Sequence, residues 1–411
     1  MGCGRKVMRS MSHVDICPLL LGTTLPIGSS HSFITLSKEN TLALVQIDES
    51  NTMHVRCTPL HGNCIAVGTH TPSHTLLYLT IPPYTNTNDL GALQLTDPDT
   101  FATLATLPLK LTEYPTAVTA GPLYQLPEPA GAEAFYVVGT SFILPTENEP
   151  SSGRLLVVRV VGRGAERRLQ VVTEQMLAGG CLAVAISRGK IVAGVGSELQ
   201  VYDFDPSSLS LTQLCSEVGS ILITHLSVDD ARGTVAVGDI HHSVSIFALS
   251  LEALCGRQLA KLEFSSCESV RRHVTALTRV GAAREEVLVG DVNGNLAVMR
   301  EVKEDEFDKS NPQKRLEVCE WFHLDDQVNQ FVRVPAEASN ASNASTASTT
   351  SMASEVNTAQ EAASGVTFDV MFCTVSGRIG LVGAMSDAEY ALLRSVEEAI
   401  EKVGKKMGGE A

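Results

Sequence analysis

The stretch Val287-Leu288-Val289-Gly290-Asp291-Val292-Asn293-Gly294-Asn295-Leu296-Ala297-Val298-Met299 carries the pattern that decides the fold. A Val-rich run ends at a glycine, a short polar turn follows, and a second apolar run begins. Asn293-Gly294 is a strong hairpin signal, because both residues accept positive φ at little steric cost. Runs that are apolar at successive positions suit strands covered on both faces.

The same pattern recurs on either side. Residues 33–36 turn into 41–47, 65–68 into 75–81, 136–139 into 154–160, 191–195 into 199–204, 235–238 into 243–249, and 370–374 into 378–383. From residue 136 on, successive hairpins start about 44 to 55 residues apart, apart from one longer gap that contains an Ala/Ser/Thr/Asn-rich insert at 335–365. Repeats of roughly 40–50 residues with several strands each are the signature of a β-propeller. The reading is therefore an all-β chain: a seven-bladed WD-like β-propeller over 31–385, with a β-sandwich or barrel as the competing architecture. The Trp-Asp dipeptide of many propellers is absent, which implies a divergent class.

Flanking segments complete the expected organisation. Residues 1–30 form an N-terminal segment, partly flexible, that is available to supply a strand sealing the ring. The insert 335–365 has too little apolar surface to order itself. Ser386 and Glu389 form a capping box that opens a helix within 386–411. Tyr390, Leu393, Val396, Ile400 and Val403 then fall on one face, expected to pack on the propeller, and Lys402, Lys405 and Lys406 suit its C-terminal dipole.

Composition narrows the function. Hydrophobic residues are 44% and charged residues 19%, a globular balance. Aromatics are 5% and Trp321 is the sole tryptophan, so the core must be Val, Leu, Ile and Ala. Lys plus Arg number 31 against 46 Asp plus Glu, a net charge of −15. Such a surface repels phosphate backbones, and cations occur at most in pairs such as Arg271-Arg272, so direct nucleic-acid contact is not expected. No apolar run is long enough to span a membrane. The ten cysteines include no Cys-x-x-Cys pair and read as buried, reduced thiols.

No catalytic signature stands out. His241 and His242 are adjacent, and neighbours on a strand point to opposite faces, so they cannot share a metal. Gly194-x-Gly196 lacks a third glycine and leads into a strand, not a helix. No Walker-type loop or Gly-x-Ser-x-Gly elbow is present. Asp229-Asp230 and Asp325-Asp326 read as turns. The expectation is a non-enzyme with no cofactor and no metal.

Five short motifs occur in an order that resembles one family. They are Phe135-Tyr-Val-Val-Gly-Thr140 followed by Glu147-Asn148-Glu149-Pro150 and Gly153-Arg154; Val237-Gly-Asp239 with Ser243-Val244; Gly294-Asn295-Leu296; Phe322-His323-Leu324 with Val328-Asn329-Gln330-Phe331; and Phe372-Cys-Thr-Val-Ser-Gly377 with Ile379-Gly-Leu-Val382. This resembles the C-terminal propeller region shared by the large subunits of the UV-damaged-DNA-binding complex, the cleavage and polyadenylation factor and splicing factor 3b. Glu147–Pro150 and Ile379–Val382 are most similar to the damage-binding branch.

That resemblance implies a protein-docking scaffold in DNA damage repair and ubiquitin-dependent turnover, with substrate-receptor proteins of a cullin-4 ubiquitin ligase as partners. The alternative is a scaffold in mRNA cleavage/polyadenylation or splicing, with nucleic-acid binding inferred at family level only. It implies a nuclear location, with the cytoplasm as a second one. The region matching the propeller that holds the cullin is absent, so direct cullin binding is not expected. The implied receptor-facing positions are Leu222, Thr224, His225, His242, His273, Gln327 and Asn329. Asn329 matches the family residue, whereas His225 replaces an aromatic, His242 an arginine and His273 a tryptophan. Histidines at these places imply docking that responds to pH.

Overall fold

The computed structural model describes residues 6–10, 19–27, 30–37, 41–47, 53–60, 62–81, 90–124, 134–254, 257–280, 286–302, 314–333, 367–384, 390–396 and 398, with side chains described from residue 60 onward except at 134, 253–254, 257–258, 314, 367–369 and 384. The insert 335–365 and the capping residues Ser386 and Glu389 lie outside the described residues, as do Ile400 and Val403. The strands are β1 (Lys6–Ser10), β2 (Leu19–Ile27), β3 (Ser30–Ser37), β4 (Thr41–Ile47), β5 (Met53–Pro59), β6 (Asn63–His70), β7 (Thr75–Ile81), β8 (Ala92–Thr96), β9 (Thr103–Pro108) and β10 (Glu113–Pro122). Next come β11 (Ala134–Phe142), β12 (Gly153–Val161), β13 (Arg168–Leu177), β14 (Cys181–Ser187), β15 (Lys190–Val195), β16 (Glu198–Asp205), β17 (Ser210–Val218), β18 (Ile223–Asp229), β19 (Thr234–Asp239) and β20 (Ser243–Leu254). The series ends with β21 (Arg257–Glu268), β22 (Val274–Val280), β23 (Glu286–Asp291), β24 (Asn295–Val302), β25 (Lys314–His323), β26 (Val328–Arg333), β27 (Thr367–Thr374) and β28 (Ile379–Ala384).

The fold is all-β and propeller-like. The chain divides into two compact units, the larger holding β2 to β25, nearly all of β26 and residues 373–378. In it, β2–β5, β6–β9, β10–β13 and β14–β17 each form a four-stranded antiparallel sheet. Two further sets, β18–β21 and β22–β25, have the same internal order and are joined by a parallel pairing of residues 266–268 with 314–316. The first strands β2, β6, β10, β14, β18 and β22 lie each against the next. All seven sequence-derived hairpins are consecutive paired strands. The pair at 65–81 is a first-to-second hairpin, and the other six are second-to-third.

Burial explains why the second strands read so clearly. β15 and β23 are buried along their whole length. The fourth strands β13 and β17 are largely open to solvent. Apolar clusters fill the wedges between neighbouring sheets. One joins Leu77, Leu79 and Leu93 to Tyr136 and Val158. Others join Val157 to Ala193 and Phe204, Val201 to Val237 and Phe247, and Ile246 to Val289 and Met299. Each buried Val, Leu, Ile, Phe or Met in these clusters contributes about 1.5–3 kcal/mol, so adjacent sheets are held mainly by this layer.

A recurring glycine sets how closely the sheets approach. A Cβ on Gly194 would sit 2.4 Å from Ile223 Cγ2, and one on Gly139 would sit 2.7 Å from both the carbonyl oxygen and the Sγ of Cys181. Gly68, Gly238 and Gly290 face Val118, Val274 and Val328 in the same way. In these five runs the glycine at or next to the end is therefore where the first strand of the next sheet packs.

The smaller unit holds β1, β28 and most of β27 together with a helix over 390–396. β1 is antiparallel to β28, with Lys6 opposite Ala384 and Ser10 opposite Gly380. On the helix, Leu393 and Val396 are 50% and 48% exposed, and Leu392 beside them is also exposed. The apolar stripe expected to be packed is therefore open over these residues.

Candidate docking surface

In the larger unit, described segments that precede first strands lie against described turns between second and third strands. A backbone hydrogen bond ties turn to segment in repeated fashion. Ile143 N donates to Thr112 O at 2.9 Å, Gly196 N to Gly180 O at 3.0 Å, Ile240 N to Leu222 O at 3.3 Å, Val292 N to His273 O at 3.1 Å, and Val375 N to Gln327 O at 2.9 Å. Bonds between successive sheets continue the series: Gly180 N to Pro150 O, Ile223 N to Gly196 O, and Leu324 N to Gly294 O. The described loops of this face are thus knitted into a belt by their backbones.

Buried carboxylates lock the turns. Asp239 ends β19 and is 2% exposed. Its Oδ2 accepts from Ser220 Oγ, from Ile221 N at 2.8 Å and from Leu222 N at 2.5 Å, while Oδ1 accepts from the His241 and His242 amides. Burial alone would raise its pKa, but these donors reverse the effect and hold it below the usual carboxylate range. Asp291 plays the same part in β23, accepting from Asn293 N, Asn295 N and Arg272 Nη1. Arg272 also bonds Glu268, joining the segment before β22 to the turn after β23.

Each first strand carries a register shift near its start on this face, at residues 19/21, 64/66, 115/117, 181/183, 223/225 and 274/276. Such bulges increase local twist and re-aim side chains. Two of the extra residues are Thr116 and Thr224, whose hydroxyls donate to the carbonyls of Gly139 and Gly238. The bulges have no counterpart in the sequence reading, because one additional residue in an apolar run changes neither composition nor period enough to notice.

The positions implied by the family resemblance all lie on this belt. Leu222 is in the segment before β18, and Thr224 and His225 sit at its bulge. His242 is in the exposed turn before β20, His273 is exposed just before β22, Gln327 precedes β26, and Asn329 lies in it. Leu222 meets the turn of His242 through the bond from Ile240, and His273 lies close enough to His225 to oppose its protonation. Gln327 is tied instead to residue 375, one sheet further on.

His225 Nδ1 lies 2.9 Å from Thr224 Oγ1. Burial of the imidazole pushes its pKa down to about 4, with the Thr275 backbone opposing and His273 adding to the shift. The described thiols of Cys64, Cys181 and Cys373 are free and buried, and burial pushes each up to about 12. Among the described residues no group of His, Cys, Asp or Glu is arranged to hold a metal ion, and no helix is long and apolar enough to cross a membrane.

The fold and its belt of loops define a propeller-like all-β class. The chain belongs to the CPSF A subunit region family, whose model matches residues 91–410. It is 26% identical over 385 residues to DNA damage-binding protein 1b of Arabidopsis thaliana, covering 92% of this chain and 31% of that protein. It is similar to DNA damage-binding protein 1 of Solanum lycopersicum, at 25% over 388 residues, 92% of this chain and 32% of that protein. The corresponding protein of Drosophila melanogaster is 26% identical over 277 residues, 67% of this chain and 21% of its own length. The chain therefore spans about a third of the length of the plant relatives.

Proposed function

We propose that the chain is a non-catalytic docking scaffold of the nucleus, and also of the cytoplasm, acting in DNA damage repair and ubiquitin-dependent protein turnover. Its belt face receives substrate-receptor proteins of a cullin-4 ubiquitin ligase, through Leu222, Thr224, His225, His242, His273, Gln327 and Asn329. The carrying observation is the belt itself: repeated turn-to-segment bonds fix a face from which side chains project on rigid loops. Rigid presentation lowers the ordering cost of association. Family membership and the likeness to DNA damage-binding proteins support the pathway. A scaffold rather than an enzyme is favoured by the fate of the carboxylates on this face. Asp239, Asp291 and Glu113 spend their lone pairs on backbone amides, Ser, Thr and Arg. By domain, residues 31–385 are the docking propeller, 1–30 and 386–411 its flanks.

The test is affinity purification of the tagged full chain from its own cells, followed by binding of the recovered receptor to purified chain. Capture of ligase receptors supports the proposal, and His273→Trp, which restores an interface anchor, then strengthens binding by about tenfold. Recovery of polyadenylation or splicing subunits instead moves the scaffold to RNA processing.

A further inference from the structure

The end of β25 and the loop after it carry a row of side chains outside the receptor positions proposed above. Trp321 stands opposite Ala297 and His323 opposite Asn295, so both project from the same face of the strand. Their rings stack, with centroids 6.4 Å apart and planes 20° from parallel. His323 Nε2 lies 3.7 Å from Asp325 Oδ1. Trp321, the sole tryptophan, is 62% exposed, and the Asp325 side chain is 90% exposed.

The surrounding structure fixes this row. Leu324 N donates to Gly294 O at 2.8 Å, and Asp326 accepts from Gln327 N at 2.9 Å and from the Ser376 hydroxyl, so the loop is pinned on both sides of Asp325. Asp325 itself has φ 58°, a left-handed conformation that Asp and Asn tolerate better than most residues. Arg378 reaches the same loop but is engaged by Asp326 at 3.9 Å and by Leu324 O at 3.4 Å. Among the described residues no hydrogen bond reaches the Asp325 carboxylate.

The tautomer of His323 follows from its neighbours. Asn295 Nδ2 donates to the two oxygens of Asp291 at 3.1 and 3.0 Å, which leaves Asn295 Oδ1 as an acceptor. His323 Nδ1 lies 2.9 Å from that oxygen and therefore carries the proton. Nε2 of the neutral ring then turns a lone pair toward Asp325. Two acceptors thus face each other without a donor between them among the described residues, two residues from an exposed indole.

We infer that this row is a docking slot for an arginine side chain of a partner protein. A guanidinium would donate to Asp325 and to His323 Nε2 and rest against the exposed indole of Trp321. Lysine has the charge but not the planar fork, so the slot prefers arginine. The chain's net charge of −15 adds to the preference for a cationic partner residue. The slot uses none of the receptor positions, so the inference goes beyond the proposed function.

The test uses the full chain and N-acetyl-arginine amide, whose blocked ends mimic a residue within a protein. Trp321 is the only tryptophan, so its emission reports occupancy directly. Arginine amide at millimolar concentrations should change that emission saturably. The lysine counterpart should bind about threefold more weakly or worse, and the uncharged citrulline counterpart should not bind. Asp325→Asn suits the same backbone conformation and should weaken binding by about tenfold, the loss of one charge-assisted contact. Trp321→Leu, read from the guanidinium NMR signal of the ligand, should weaken it by about threefold. Both side chains are exposed, so thermal melts of the variants should match the parent. His273→Ala should leave the arginine response unchanged, and Asp325→Asn should leave receptor binding unchanged, which separates this inference from the proposed function. Absence of a saturable response overturns it, as does an equal response to citrulline or lysine, or indifference to Asp325→Asn. Tighter binding of free arginine than of the blocked form also overturns it, by giving the slot to the amino acid itself.

Discussion

Arg154 clamps Glu113 beneath the belt: its Nε donates to Glu113 Oε1 at 2.7 Å, with side chains 6% and 0% exposed. The Thr140 hydroxyl and Lys110 amide complete the carboxylate's shell. Removing one partner of such a pair leaves a buried charge unmatched. Arg154→Ala should therefore cost about 3–5 kcal/mol in urea unfolding. The double variant Glu113→Leu/Arg154→Met should recover most of that loss. A double variant as unstable as the single one would show that the clamp is not the source.

The pH dependence of stability follows from the same group and from Asp239. Burial would raise the Glu113 pKa, but the Arg154 bonds, the Thr140 hydroxyl and the Lys110 amide outweigh it, so the folded value is lowered. Asp239 is lowered as well. A carboxyl whose folded pKa lies below its unfolded one contributes fully above the unfolded value, about 4, and loses that contribution as pH falls through the folded value. Unfolding free energy should thus decline below pH of about 4. Asp239→Asn should flatten part of that decline and loosen the turn at His241 and His242, seen as faster amide exchange at Ile221 and Leu222.

The inter-sheet glycines give a graded series. A Cβ at Gly194 would meet Ile223 Cγ2 at 2.4 Å, whereas at Gly290 the nearest atom is Val328 Cβ at 3.1 Å. Gly194→Ala should force neighbouring sheets apart and cost about 1–3 kcal/mol, as overpacking does. Gly290→Ala should cost clearly less. Gly194→Ala combined with Ile223→Ala should regain stability if the contact is the cause, measured by thermal unfolding.

These elements differ in how legible they were. The second and third strands stood out because both faces are buried, so β15 and β23 are nearly unbroken apolar runs that end at the packing glycine. Fourth strands such as β17, Ser-Leu-Thr-Gln-Leu-Cys-Ser-Glu-Val, face solvent and blend into loops. β1 was invisible for another reason: Lys-Val-Met-Arg-Ser has little strand character, and its place is set by pairing with β28 far away in sequence. At the belt, Asn293-Gly294 announced one turn, with Gly294 at φ 75° as that turn requires.

The histidines invite a test of pH-responsive docking, and the structure divides them. His225 is partly exposed as a residue, but its imidazole is desolvated and its pKa is pushed down to about 4. It therefore stays neutral at mildly acidic and neutral pH. For a base with a depressed folded pKa, the unfolded chain takes up a proton below about 6.5 while the folded chain does not. Stability from this site is complete above that value and falls as pH drops toward about 4, where the folded ring also protonates. His225→Gln should remove that decline, and an NMR titration of the ring should give a midpoint near 4. Receptor binding compared at mildly acidic and neutral pH should be equally pH-dependent in the parent and in His225→Gln, because the desolvated ring does not change charge over that range. A pH response that vanishes in His225→Gln but survives in His242→Gln and His273→Gln would place the switch at the bulge and refute the desolvated ring.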